Sequence, residues 1–310
     1  MEARFISDGV RAAPPLQISV GRKVSRREHI LMGIDLAATA GMEVGPLCSP
    51  MVTHQEGEIF YVDFATKKYL SEKYRDDKNI DPTKLVDVDG IWGQQSLTQC
   101  VGGKKFEYVV ASHVGEHVPD LITWLEEIAS VLKSGGSLRL ALPDKRYMFD
   151  YARPETQTFD LVAAWLGKSR KPTLRQVLEH YELARRVDVA AAWKGPLDIR
   201  KLVRLETVAR GMNKARNVAL NDAYEDVHCW VFTPQSLAAN FVEVAAMGLL
   251  KFKCDLLIPT QGGEIEFFLH MSVSNDQSEI IESWRRAEKI AALRPRYTSN
   301  RGWLGWAFKA

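Results

Sequence analysis

Between Phe106 and Arg146 the chain reads FEYVVASHVGEHVPDLITWLEEIASVLKSGGSLRLALPDKR, and this stretch constrains the fold more than any other. Tyr108, Val109 and Val110 form a continuous apolar run, the pattern of a strand covered on both faces. Asp120 follows Pro119 where a helix N-cap belongs, and Leu121, Leu125, Ile128 and Leu132 recur at the helix period. Gly135 and Gly136 are expected to stop that helix, with a second strand from Leu138 to Leu142. The result is one βαβ unit whose polar residues gather at its strand ends. Open α/β sheets bind ligands outside the carboxyl ends of their strands, so a site is expected there.

The flanking sequence extends this unit into a sheet. Upstream, Met42 and Val44 suit a short buried strand ended by Gly45 and Pro46, and Glu58 to Thr66 reads as a second strand ending on Asp63. A third strand is expected near Leu85 to Val88. Ser25 is expected to cap a helix running to about Ala37. Downstream, Thr233-Pro234 opens a buried helix. KFKCDLLIPT and EIEFFLHMSVS, joined through Gln261-Gly262-Gly263, make a closing hairpin. The expected fold is α/β, a doubly wound, mostly parallel seven-stranded sheet with an antiparallel C-terminal hairpin and a helical insert.

The reading divides the chain into a flexible arm (1–22), a cofactor-binding half (23–147), a helical substrate or lid insert (148–227), a return to the sheet (228–274), and a C-terminal helix with an aromatic tail carrying Trp303, Trp306 and Phe308 (275–310). Within the insert, Thr173 and Asp198 are the expected helix caps. Between Lys168 and Arg216 stand thirteen Lys or Arg against five Asp or Glu. That excess suits either a solvated helical face or a lid that draws in an anionic small molecule.

At 310 residues and net charge +2 the chain is large enough for a sizeable core, and too near neutral to argue for nucleic acid or a membrane surface. The four cysteines are scattered without a CxxC pair, which argues against a disulfide framework or a structural zinc knot and for a reducing compartment. With no signal-peptide core and no bilayer-length apolar run, the expected location is the cytoplasm.

Strand, helix, strand and terminal hairpin at this rhythm resemble the class I S-adenosylmethionine-dependent methyltransferases. The likeness is to the small-molecule group with a Leu-Glu-His-Val-Pro-Asp turn after the fourth strand. Here the turn is Gly115-Glu116-His117-Val118-Pro119-Asp120, followed by LKSGGSL. The resemblance spans roughly residues 38–145 and resumes over 228–274. It implies S-adenosylmethionine as cofactor and residue roles to match. Glu43 and Gly45 match the acidic-x-glycine start of the cofactor loop, although Pro46, Leu47, Cys48 and Ser49 stand where further glycines are usual. Asp63 would accept the ribose hydroxyls. Asp89, with Asp87 as rival, would bracket the adenine, and Ser112 and His113 would enter the crevice.

The reaction expected is methyl transfer to a small or medium polar acceptor, most simply a hydroxyl of a sugar-like or natural-product molecule. An amine acceptor, or a methyltransferase-like protein that only binds, are the alternatives. A hydroxyl benefits from a general base, and His228 and His113 are placed for it. Asp144, Arg146 and Tyr147 leave the fifth strand toward the acceptor. Some relatives use a divalent metal near the turn. Glu116 with His117 and His228 could supply ligands, but a glutamate and a histidine adjacent on a tight turn do not easily face one ion, so no metal is expected. A nicotinamide enzyme is disfavoured by the missing GxGxxG, and nucleic-acid substrates by the absence of an Asn- or Asp-Pro-Pro-aromatic turn and of a stacking platform.

Overall fold

The computed structural model describes residues 24–77, 80–93 and 95–292. The expected arm and the aromatic tail lie outside them. In chain order the elements are α1 (Arg26–Leu31), β1 (Ala40–Val44), β2 (Glu58–Asp63), α2 (Lys67–Lys73), β3 (Gly90–Ile91), α3 (Leu97–Cys100), β4 (Phe106–Ser112), α4 (Leu121–Val131) and β5 (Leu132–Pro143). Four helices follow, α5 (Thr158–Leu166), α6 (Leu174–Leu183), α7 (Val189–Lys194) and α8 (Val208–Asn221). The chain then returns through α9 (Pro234–Ala246), β6 (Phe252–Ile258), β7 (Glu266–Val273) and α10 (Gln277–Ala292).

The seven strands form one sheet in the order β3-β2-β1-β4-β5-β7-β6. All neighbours from β3 to β5 pair in parallel, and β7 inserts antiparallel between β5 and β6. The order reverses between β1 and β4, so the crevice between their carboxyl ends is the place a ligand is drawn to.

Alternate residues serve two cores. Met42, Val109, Leu138, Leu140 and Leu269 face a thick layer with Leu125 and Ile128 of α4, Phe241 of α9 and Trp284 of α10. Tyr61, Tyr108, Val110 and Phe268 face a thinner one with Ile30 and Leu31 of α1 and the loop residues Met51 and Val52. Burial on both faces is why the strands are nearly continuous apolar runs.

Several local expectations change. The helix capped by Ser25 ends at Leu31, ahead of Gly33 at φ +77°. β3 is only two residues long and lies at Gly90–Ile91, after the Leu85–Val88 stretch. Gly135 and Gly136 do not end α4, which stops at Val131; they sit in an irregularity of β5, whose register against β4 shifts between Phe106 and Tyr108. Asp198 caps a single 3-10 turn, and α8 instead begins at the Thr207 cap. Leu161 and Ala164 of α5 belong to the main core, whereas Val177, Tyr181, Ala215 and Val227 make a small core of their own.

Candidate functional site

At the reversal point, Gly45 follows β1 with φ +68°, a backbone region that glycine alone enters freely. A Cβ there would come within 2.8 Å of Val114 at the end of β4, so the two strand ends meet closely. Glu43 is buried, and its carboxylate accepts the amides of Met51 at 2.8 Å and Val52 at 3.2 Å. It therefore shapes the loop from within. Burial pushes its pKa up to about 7.

Asp63 closes β2. One carboxylate oxygen accepts the Phe64 amide at 2.7 Å; the other, Oδ2, is buried without a hydrogen-bond partner. Burial raises this group to about 6. An unsatisfied acceptor at a strand end suits a ligand hydroxyl. Beside it opens a cavity of about 520 Å³ lined by Phe64, Ala65, Tyr69, Lys73, Tyr224 and Asp226, within the roughly 300–1,000 Å³ range of small-molecule sites. Asp89 stands at the start of β3, where Oδ2 accepts the Tyr61 amide at 2.7 Å. The carboxyl end of that strand presents Ile91 and Trp92 instead.

After β4 the chain turns through His113, held at φ +53°. Both ring nitrogens meet carboxylates: Nε2 lies 2.8 Å from Glu266 and Nδ1 3.3 Å from Glu116. Burial opposes its charged form, but the two carboxylates outweigh burial and raise its pKa to about 9. Arg26 of α1 chelates the same Glu266 and also donates to Ser112 Oγ. Ser112 and His113 are thus locked into a network across β4 and β7.

Glu116, His117 and His228 converge one turn further on. Each offers a ligand atom, and all three atoms lie within 4.8 Å of one another. The backbone reason is plain: Gly115–His117 is a 3-10 turn, and the Glu116 carbonyl accepts the Cys229 amide at 2.6 Å, tying the turn to the segment carrying His228. The expectation that the turn keeps Glu116 and His117 apart is corrected by this geometry. The two histidines are backed by carboxylates, Asp226 at 2.9 Å from His117 Nδ1 and Asp150 at 2.6 Å from His228 Nδ1. Arg153, buried, pairs with Asp150 at 2.8 Å and donates to the His228 carbonyl at 2.9 Å. Although burial alone would raise Asp150, His228 and Arg153 hold it below the ordinary carboxylate range.

Past β5, Asp144 is fully buried and engaged by Arg146 at 2.6 Å and Thr260 at 2.6 Å. Tyr147 stacks on Trp193 of α7 with centroids 4.1 Å apart. Both residues fasten the insert and the β6–β7 loop, which leaves Arg146, over a third exposed, as the member of that trio able to reach a ligand. Asp150, Asp226 and Glu266, which hold the three histidines, were not singled out by motif. The only sequence trace of Asp226 is its position two residues before His228.

A profile of the methyltransferase-domain family matches residues 39–243, which contain the crevice, the turn and the insert. The chain belongs to this methyltransferase family. It is a S-adenosylmethionine-dependent methyltransferase, an enzyme with the sheet order described above. No curated protein matches it in sequence. Among solved structures it is similar to a putative Zn-dependent alcohol dehydrogenase from Rhodobacter sphaeroides (11% identity, 82% of this chain and 92% of that one, TM-score 0.45). It is also similar to a putative S-adenosylmethionine-dependent methyltransferase from Listeria monocytogenes (10%, 80% and 98%, 0.38) and to magnesium protoporphyrin IX methyltransferase from Synechocystis, solved with S-adenosylhomocysteine (11%, 77% and 76%, 0.31). These distant likenesses carry none of the argument below.

The methyltransferase's own residues fit the cofactor: the orphaned Asp63 oxygen and the left-handed Gly45 stand at the ends of the neighbouring strands β2 and β1, and the cavity begins at Phe64, the residue after Asp63. When bound, S-adenosylmethionine supplies an electrophilic methyl carbon. Among the described residues no helix is long and apolar enough to cross a membrane.

Proposed function

We propose that this methyltransferase acts on a hydroxyl of a small polar molecule, with the acceptor entering beneath the helical insert and losing its proton at the Glu116–His117–His228 cluster. In this reading Asp63 holds the ribose, Gly45 lets the backbone approach the methionine portion, and Phe64 borders the adenosyl cavity. Glu43 serves by shaping the loop, and Asp89 by fixing β2. The insert's basic residues and the partly exposed Arg146 suit an acceptor with anionic character.

One observation carries the choice of hydroxyl. His228 has Nδ1 fixed by the buried Asp150, itself fixed by Arg153, so Nε2 is the ring atom left to meet a ligand. That orientation of a histidine by a carboxylate is what proton removal from a hydroxyl needs, and an already neutral amine would not need it. His113 offers no comparable nitrogen, since Glu116 and Glu266 occupy both.

Incubation with S-adenosylmethionine and a panel of polyols, sugars and phenolic acids, read by mass spectrometry for a methyl gain, is expected to give an O-methylated product. A product methylated on nitrogen would move the reading to an amine acceptor. His228→Ala is expected to lower turnover by on the order of 10²–10⁴-fold while leaving cofactor affinity within a factor of two or three. Undiminished turnover in that variant would remove the cluster from the chemistry.

A further inference from the structure

The cluster also poses an electrostatic problem. Glu116 is completely buried, and neither of its carboxylate oxygens has a hydrogen-bond donor in bonding geometry; the nearest cationic group, His113 Nδ1, stands 3.3 Å away. An ionised carboxylate taken out of water costs several kcal/mol unless it is paired and hydrogen-bonded. His113 pairs with Glu116, and the carboxylate oxygens, without a hydrogen bond, keep room for a further partner. His117 and His228 each bring a ring nitrogen within 4.8 Å of a Glu116 oxygen, and each has Nδ1 paired with a carboxylate.

We infer that Glu116, His117 and His228 form a binding site for one divalent transition-metal ion of the zinc type. Two imidazoles and one carboxylate are a donor set for zinc or the neighbouring first-row ions, whereas magnesium and calcium prefer oxygen alone. Ligand bonds of about 2.0–2.2 Å at tetrahedral angles place donor atoms about 3.3–3.6 Å apart around one ion. The three donor atoms lie within 4.8 Å of one another, so the side chains close by about an ångström to share an ion. Asp226 and Asp150 complete the pattern, because a metal-bound imidazole characteristically gives its other N–H to a carboxylate that fixes its orientation and strengthens it as a donor. Three protein ligands leave one coordination position open, and the site adjoins the cofactor crevice through Val114 and Gly115. The open position suits an acceptor oxygen. With an ion bound, His228 would serve as its ligand in place of acting as the base.

The ion-binding claim stands apart from the choice of acceptor and is tested without turnover. Chelator-treated, full-length protein is titrated with Zn²⁺ by calorimetry and with Co²⁺ by visible absorption. One ion per chain with micromolar or tighter affinity, and a Co²⁺ spectrum that Zn²⁺ abolishes, are expected. His117→Ala and His228→Ala should each weaken Zn²⁺ binding at least tenfold, and Asp226→Asn, which removes the carboxylate that positions His117, by roughly 10–100-fold. Absence of stoichiometric uptake by the wild-type protein, or equal affinity in folded histidine variants, would overturn the site. Should those variants not fold, wild-type protein labelled with ¹⁵N-histidine decides: Zn²⁺ must shift two imidazole side chains, and a titration that shifts none rejects the proposal. A protein that binds Zn²⁺ but methylates nothing in the panel would leave this site intact and count only against the acceptor reading.

Discussion

Asp63 and Glu43 are both buried acids at the ends of neighbouring strands, yet their surroundings give them opposite tasks. The Glu43 oxygens are filled by the Met51 and Val52 amides; the Asp63 Oδ2 is left empty. Asp63→Ala is therefore expected to weaken S-adenosylhomocysteine binding by tenfold or more in calorimetry. Ribose hydroxyls donate to the ionised form, which predominates above a pKa of about 6. Wild-type affinity should accordingly rise by about tenfold from pH 5 to pH 7, and Asp63→Asn should show a flat profile. For Glu43 the linkage concerns stability. Its folded pKa of about 7 exceeds the unfolded value of 4.5, so the fold is favoured while this acid is protonated. That advantage is complete below pH 4.5 and is lost as pH rises through 7, amounting to about 3 kcal/mol. Glu43→Gln should remove this slope in urea unfolding of the cofactor-free protein at pH 5 and pH 8; parallel wild-type and variant profiles would contradict it.

The elements show what a sequence can and cannot reveal. β4, α4 and their Asp120 cap are legible because apolar period and capping chemistry are local properties. β3 is misplaced because two residues carry no period, and the Leu85–Val88 run attracts the assignment. The helix-stop role of Gly135 and Gly136 fails because the pair serves close backbone approach: a Cβ on Gly136 would lie 3.1 Å from both the Phe106 and Glu107 carbonyl oxygens. In the site, Asp63 could be read from its place after a strand, but the convergence of Glu116, His117 and His228 could not. It depends on a backbone bond between Glu116 and Cys229 and on carboxylates more than a hundred residues from the turn in one case and about eighty from His228 in the other. A second intolerant glycine tests the sheet itself. The Tyr108 ring fills the space beside Gly41, where a Cβ would fall 2.0 Å from it. Gly41→Ala should cost on the order of 1–3 kcal/mol, read as a lowered melting temperature, because a buried ring covered on one side by α1 and its loop has little room to move.

Across the whole molecule, the insert and the sheet are joined through charges as well as through apolar packing. Asp226 links His117 of the β4 turn to Lys73 and Tyr74 at the end of α2. Arg153, 1% exposed, links Asp150 to the His228 carbonyl. Removing one member of a buried pair leaves an uncompensated charge, so Arg153→Met is expected to cost about 3–5 kcal/mol in chemical unfolding. Replacing both members, Arg153→Met with Asp150→Leu, removes the stranded charge, and stability should return toward that of the wild type. Activity should not return with it, because His228 then lacks the carboxylate that orients its ring. Recovery of stability with turnover still depressed would assign Asp150 to the site, beyond its part in the fold; recovery of both would make the pair purely structural. A fall in stability for the double variant as large as for the single one would mean that Asp150 is satisfied by His228 alone. Arg153 would then owe its burial to the carbonyl of His228 and the packing around it.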